Sequence, residues 1–116
     1  LPIMKTSFLY CLTANHFQLV SLLLFSIGLL GVMTSKNLIK ILISIEFMVN
    51  SINIIFVSFA TYRANISYTG YSIAIFVSAI SALVMAIGLY FIYHIYKKYG
   101  SIDISEVYKI SKEKKC

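Results

Sequence analysis

Two long stretches of this chain carry no charge, and they decide what it folds into. Thr6 to Ser35 contains no Asp, Glu, Lys or Arg, and neither does Ala64 to Tyr96. Apolar runs of about 18 or more residues read as helices that cross a bilayer. Between Lys40 and Arg63 the only charged residue is Glu46. Just 12% of the 116 residues are charged, against about 25% in soluble domains. The chain therefore reads as an all-α, integral membrane protein of one domain with three transmembrane helices. Each span is helical because backbone in lipid must satisfy its own hydrogen bonds. The expected spans are 17–34, 38–62 and 71–96, with 1–16 as an amino-terminal extension and 99–116 as a basic tail.

Charge sets the expected orientation. Lys36 and Lys40 flank the first connection, and Lys97 and Lys98 follow the third span. With three spans these regions share a side, and the opposite side holds only Lys5 and Arg63. The positive-inside rule puts the amino terminus outside and the tail inside. Tyr90, Tyr93, Tyr96 and Tyr99 crowd the inner boundary, and Tyr62, Tyr68 and Tyr71 the outer one, as an aromatic belt does. The net charge of +6 gathers from Lys97 onward, where six of the ten basic residues lie. That placement reads as a membrane anchor and topology signal, so nucleic acid is not expected as a partner and the lipid bilayer is.

Other motifs are sparse. No zinc spacing, phosphate-cradling glycine loop or nucleophile–histidine arrangement appears. Cys11 and Cys116 lie far apart and read as free thiols, and His16 and His94 read as interfacial. The first fifteen residues, LPIMKTSFLYCLTAN, have a weak basic region and no small-x-small cleavage site. They are expected to belong to the mature chain. The wealth of Ile, Lys, Tyr and Phe, with one Pro, one Arg and no Trp, suggests an AT-rich gene and hints at an organelle genome.

The second span carries the chemistry. In ISIEFMVNSIN, Glu46, Asn50 and Asn53 are spaced four and three and so share a helical face. Ser44, Ser51 and Ser58, at spacing seven, fall on roughly the opposite face, where small residues let another helix approach closely. In the third span Gly70, Ala74, Ser78 and Ala82 recur at spacing four and suggest a second packing seam. Ser21, Gly28 and Ser35 recur at spacing seven in and after the first. Glu46 lies nine residues past Asn37, about 14 Å into a hydrocarbon layer about 30 Å thick. A charged side chain there costs at least ~2.5–3.5 kcal/mol. Burial disfavours the charged form of a carboxyl, which brings proton exchange near neutral pH within reach. Glu46 is thus the candidate proton-transfer residue, with Asn50 and Asn53 to orient it or hold water beside it. The bland reading is a neutral carboxyl that only bonds a neighbouring helix.

The stretch FSIGLLGVMTSKNLIKILISIEFMVNSINIIFVSF resembles the smallest core membrane subunit of proton-pumping NADH:quinone oxidoreductase, respiratory complex I, called subunit K or chain 4L. The resemblance rests on Gly28 and Gly31, then Lys36 and Asn37, then Glu46, Met48, Asn50 and Asn53, and it covers roughly Val20 to Lys98. AIGLYFIYHIYKK is similar to the end of the family's third helix. It implies that Glu46 belongs to the chain of ionisable groups coupling quinone reduction to proton movement. It also implies that other membrane-arm subunits are partners. Flavin mononucleotide, iron–sulfur clusters and the quinone site would then lie in partner subunits, with no cofactor in this chain. The implied location is the mitochondrial inner membrane, or a prokaryotic plasma membrane. One departure stands out: where the family carries a second glutamate in the third helix, this chain has Val84. Competing expectations are a small multidrug exchanger, a subunit of a related antiporter or membrane-bound hydrogenase, and a purely structural subunit.

Overall fold

The computed structural model describes residues 2–62 and 68–115, apart from the side chains of Tyr10 and Tyr62. Arg63 and most of the connection between the second and third spans therefore lie outside the described residues, as do the Tyr62 ring and Cys116. Among the described residues four helices follow in order: α1 Pro2–Thr34, α2 Leu38–Tyr62, α3 Tyr68–Tyr99 and α4 Ile104–Lys115. The first three are long and apolar enough to cross a membrane. The chain is an all-α integral membrane protein.

α1 and α3 run past the spans of the sequence reading, α3 covering Tyr68–Tyr99 where that reading set 71–96. α1 runs through residues 2–16, which that reading set outside the first span. With 33 residues it is about 50 Å long, so its start projects beyond a single hydrocarbon thickness. The tail contains α4, Ile104–Lys115. Asp103 caps α4 by accepting from the Ser105 amide at 2.9 Å and the Ser105 hydroxyl at 2.7 Å. Those bonds, the hydroxyl's foremost, hold the Asp103 carboxyl below its usual range, and nearby Lys36 adds to the effect.

The α1–α2 turn and the segment after α3 are clasped together. Asn37 caps α2 through its Oδ1, which accepts from the Ile39 amide at 2.9 Å. α3 ends at Gly100, whose φ of 72° is the left-handed conformation that glycine adopts without penalty. The chain then reverses, and Asn37 and Asp103 form an isolated antiparallel bridge. Leu38 N donates to Ile102 O at 3.0 Å, and Ile104 N to Lys36 O at 2.9 Å. Two helix caps thus sit side by side at one end of the molecule.

The helices form a row, not a bundle. α1 and α3 each pack on α2, from opposite sides. The extents of 76 × 25 × 15 Å are those of a slab; its thickness is near that of a single helix with its side chains. Both broad faces therefore stay uncovered, and Leu22, Leu30, Met33, Ile75, Phe76 and Leu83 are all more than half exposed.

Candidate functional site

α2 is the middle helix, so each of its faces has its own neighbour. Ser44, Ser51 and Ser58 are buried at 8, 1 and 4% exposure, on the face toward α1. Ser21, fully buried on α1, donates to the Ser51 carbonyl at 2.6 Å. A Cβ built on Gly28 would lie 2.7 Å from both the Ser44 carbonyl oxygen and Met48 Cγ. One on Gly31 would run into the Ser44 hydroxyl. Glycine at these positions permits the close approach.

The opposite face holds the carboxylate. Glu46 Oε2 accepts from the Ser81 hydroxyl on α3 at 2.6 Å. Ser81 is only 7% exposed. Glu46, Ser81 and Val84 line one cleft of about 140 Å³, whose remaining walls are aliphatic side chains and Met85. Val84 thus stands beside Glu46, where a second carboxylate would share its cleft. Further along, Asn53 Nδ2 donates to Ser78 Oγ at 3.0 Å, and Thr61 and Tyr71 share a hydroxyl contact of 2.7 Å. Asn53 is buried, and its Oδ1 has no partner among the described residues. Asn50 is exposed and opens onto the same groove as Asn53, Tyr71 and Ser78.

Helical geometry explains which residues meet. At 100° per residue, Glu46 and Asn53 lie about 20° apart around α2, whereas Asn50 lies about 60° from Asn53. The first two therefore face α3 together, and Asn50 sits at the edge. Within this chain only part of the α3 seam meets α2. Ala74 is buried and Ser78 bonds Asn53, but Ala82 is exposed and lies off the contact. A spacing of four drifts 40° per step, so Ala82 has turned about 120° from Gly70. A spacing of seven drifts only about 20°. The residues packed closest on α2 accordingly follow Ala74, Ser81 and Gly88, with Ser78 bonded to Asn53, Gly70 against Ala60 and Gly88 against Leu42. Ser81 was not singled out from the sequence, though that heptad of small residues marked it. Among the described residues no group of His, Cys, Asp and Glu is placed to hold a metal, and Cys11 is an exposed free thiol.

The chain is similar to known proteins. The family model for NADH-ubiquinone/plastoquinone oxidoreductase chain 4L matches residues 16–112. NADH-quinone oxidoreductase subunit K of Sulfurovum sp. (strain NBC37-1) is 39% identical over 93 residues, covering 80% of this chain and 91% of that one. The protein of the same name from Helicobacter pylori (strain P12) is 43% identical over the same lengths. That from Chlorobaculum tepidum is 36% identical over 104 residues, covering 90% and 95%.

Proposed function

The chain belongs to the chain 4L, or subunit K, family of NADH-quinone oxidoreductases, and on that premise we propose that it contributes Glu46 to the proton path of such an enzyme. In this reading the chain is a cofactor-free subunit of the translocase. Flavin, iron–sulfur clusters and the quinone site belong to partner subunits, and other membrane-arm subunits cover the broad faces of the slab. Family membership sets aside a small multidrug exchanger.

The observation that carries the proposal is the hydrogen bond from Ser81 to Glu46, made inside a membrane-spanning segment near mid-depth. A carboxyl there is costly, and intramembrane ionisable groups mark ion and proton pathways. The bond fixes one carboxyl oxygen toward α3, and Asn53 lies on the same face to order water. Asn50 borders the groove that would lead water toward it. The clasp between Asn37 and Asp103 puts Lys36, Lys40, Lys97 and Lys98 at one end of the molecule. That supports a tail on the inner side and an amino terminus outside. Bacterial relatives support a prokaryotic plasma membrane as the setting, and the mitochondrial inner membrane is the equivalent in an organelle.

The test is Glu46→Gln, which keeps shape and hydrogen bonding but cannot titrate. In vesicles holding the assembled enzyme, proton translocation per quinone reduced falls while assembly is normal. If ratio and turnover both match wild type, Glu46 is a structural hydrogen-bonding group and the chain is a structural subunit.

A further inference from the structure

Lysines and tyrosines gather where α3 ends. Lys97 Nζ lies 5.2 Å from the centroid of the Tyr93 ring. Lys98 and Lys114 share the Tyr99 ring, with their Nζ atoms 5.3 and 5.4 Å from its centroid. These two are far apart in sequence. They meet because the chain reverses at Gly100 and is bridged to Asn37 at Asp103. Both are exposed. A ring face attracts a cation but does not neutralise it, so the two like charges repel each other. An anion placed between them turns that repulsion into attraction.

The second observation is the depth of this cluster. Tyr93 lies twelve residues past Ser81, the residue that bonds Glu46. That is about 18 Å along α3, and half of a hydrocarbon layer is about 15 Å. Tyr93 therefore stands just past the hydrocarbon edge. Helical side chains tilt toward the helix amino terminus, and Lys97 accordingly reaches back to Tyr93. The lysines at the end of α3 thus stand at headgroup level. Ile87 and Phe91 lie eleven and seven residues before Lys98, within about 20° of it around the helix. Both are more than half exposed, so an apolar strip leads from Lys98 into the hydrocarbon.

We propose that Lys98 and Lys114 together bind the headgroup phosphate of an anionic phospholipid, whose acyl chains run along Ile87 and Phe91. Such a lipid matches both halves of the surface: its phosphate meets the two ammonium groups, and its chains meet the strip. A soluble anion uses only the first half. A zwitterionic lipid brings the same phosphate together with an ammonium group that the lysines repel. α4 is then one wall of a lipid site, held in place by the clasp that seats its start beside α2. Basic residues on the flank of a membrane-spanning helix recognise anionic headgroups in this way. The site stands whether or not Glu46 moves protons.

Lipid photolabelling tests it. The assembled enzyme is placed in phosphatidylcholine vesicles holding a trace of phosphatidylglycerol, or of further phosphatidylcholine, with a photoactivatable acyl chain. Adducts on residues 84–99 are counted by mass spectrometry. Each lysine beside an anionic headgroup contributes about fivefold to binding, so labelling favours phosphatidylglycerol by about 25-fold. Lys98→Gln with Lys114→Gln brings the preference close to one, and Lys98→Arg with Lys114→Arg keeps it. Lys109→Gln with Lys112→Gln removes the same charge from α4 positions about 140° and 160° around from Lys114, and leaves the preference unchanged. A wild-type preference below about threefold overturns the proposal. Equal losses in the two glutamine pairs overturn it as well, and mean a diffuse basic surface with no site. Absence of adducts with both lipids does the same, and means that another subunit covers this side of α3.

Discussion

Removing one hydroxyl tests how Glu46 is held. Ser81 is 7% exposed and sends its hydroxyl across the interface to Glu46 at 2.6 Å. Ser44 and Thr61, by contrast, bond back to the carbonyl four residues earlier. Ser81→Ala deletes the one hydrogen bond Glu46 makes among the described residues. Hydrogen bonds to charged groups are worth about 1.5–3 kcal/mol, but polar bonds in a bilayer average ~0.6 and reach ~1.7. Because the Glu46 cleft is apolar apart from these two residues, the upper part of the bilayer range applies, about 1–1.7 kcal/mol. At ~1.4 kcal/mol per decade, that is about five- to twentyfold in the population of correctly aimed carboxyl.

The assay is proton translocation and turnover of the reconstituted enzyme, with assembly followed on native gels. Ser81→Ala is expected to assemble, since it removes little volume, and to lose proton translocation by that factor. Ser81→Thr keeps the hydroxyl and restores most of it. A merely structural serine would respond oppositely, because alanine is the better helix former and threonine the bulkier residue. Wild-type translocation by Ser81→Ala, or a defect that Ser81→Thr does not repair, would refute the reasoning.

Three further outcomes follow from other parts of the slab. Gly28→Ala places a Cβ 2.7 Å from a backbone oxygen, so α1 must move and assembly falls by an overpacking cost of about 1–3 kcal/mol; Gly31→Ala meets mainly the Ser44 side chain, and Ser44→Gly rescues it, as thermal stability of the assembled enzyme will report. Val84→Glu puts a second carboxyl into the Glu46 cleft, whose other walls are apolar; native gels show reduced assembly, because two carboxylates there share one hydroxyl. The Asp103 carboxyl lies below its ordinary value of 3.8 when folded. The α4 cap is therefore at full strength above that value and is lost as the pH falls through the lower folded value, and exchange of the Ser105 and Val107 amides speeds up only in that acid range.

The spans were legible because the cost of charge in lipid leaves an unambiguous mark, the empty runs around Phe25 and Val77. The two faces of α2 were legible because Glu46 and Ser44 lie 200° apart on any helix. The extent of α1 was not. Asn15 and His16 suggest an interface, yet a helix need not stop where the lipid does, and no glycine or proline breaks it between Pro2 and Gly28. The register of the α2–α3 contact was not legible because two small-residue registers coexist on α3, and only contact with α2 favours 74, 81 and 88 over 74, 78 and 82. α4 escaped notice because its start depends on a cap at Asp103 that is steadied by pairing with Asn37, distant in sequence.

The row architecture bears directly on Glu46. A charge at mid-bilayer costs at least ~2.5–3.5 kcal/mol on insertion scales, and the one hydroxyl that reaches it among the described residues returns about 1–1.7 kcal/mol. A compact bundle would have closed the matter by surrounding the side chain. A slab one helix thick leaves the cleft beside Val84 open to whatever lies against α2 and α3. With valine where a second carboxylate would stand, any further polar partner must arrive from another subunit or as water. A shift of a neighbouring chain by a few ångströms, adding or removing one such partner, changes the balance by as much as Ser81 supplies. That sensitivity follows from α1 and α3 packing on opposite sides of α2.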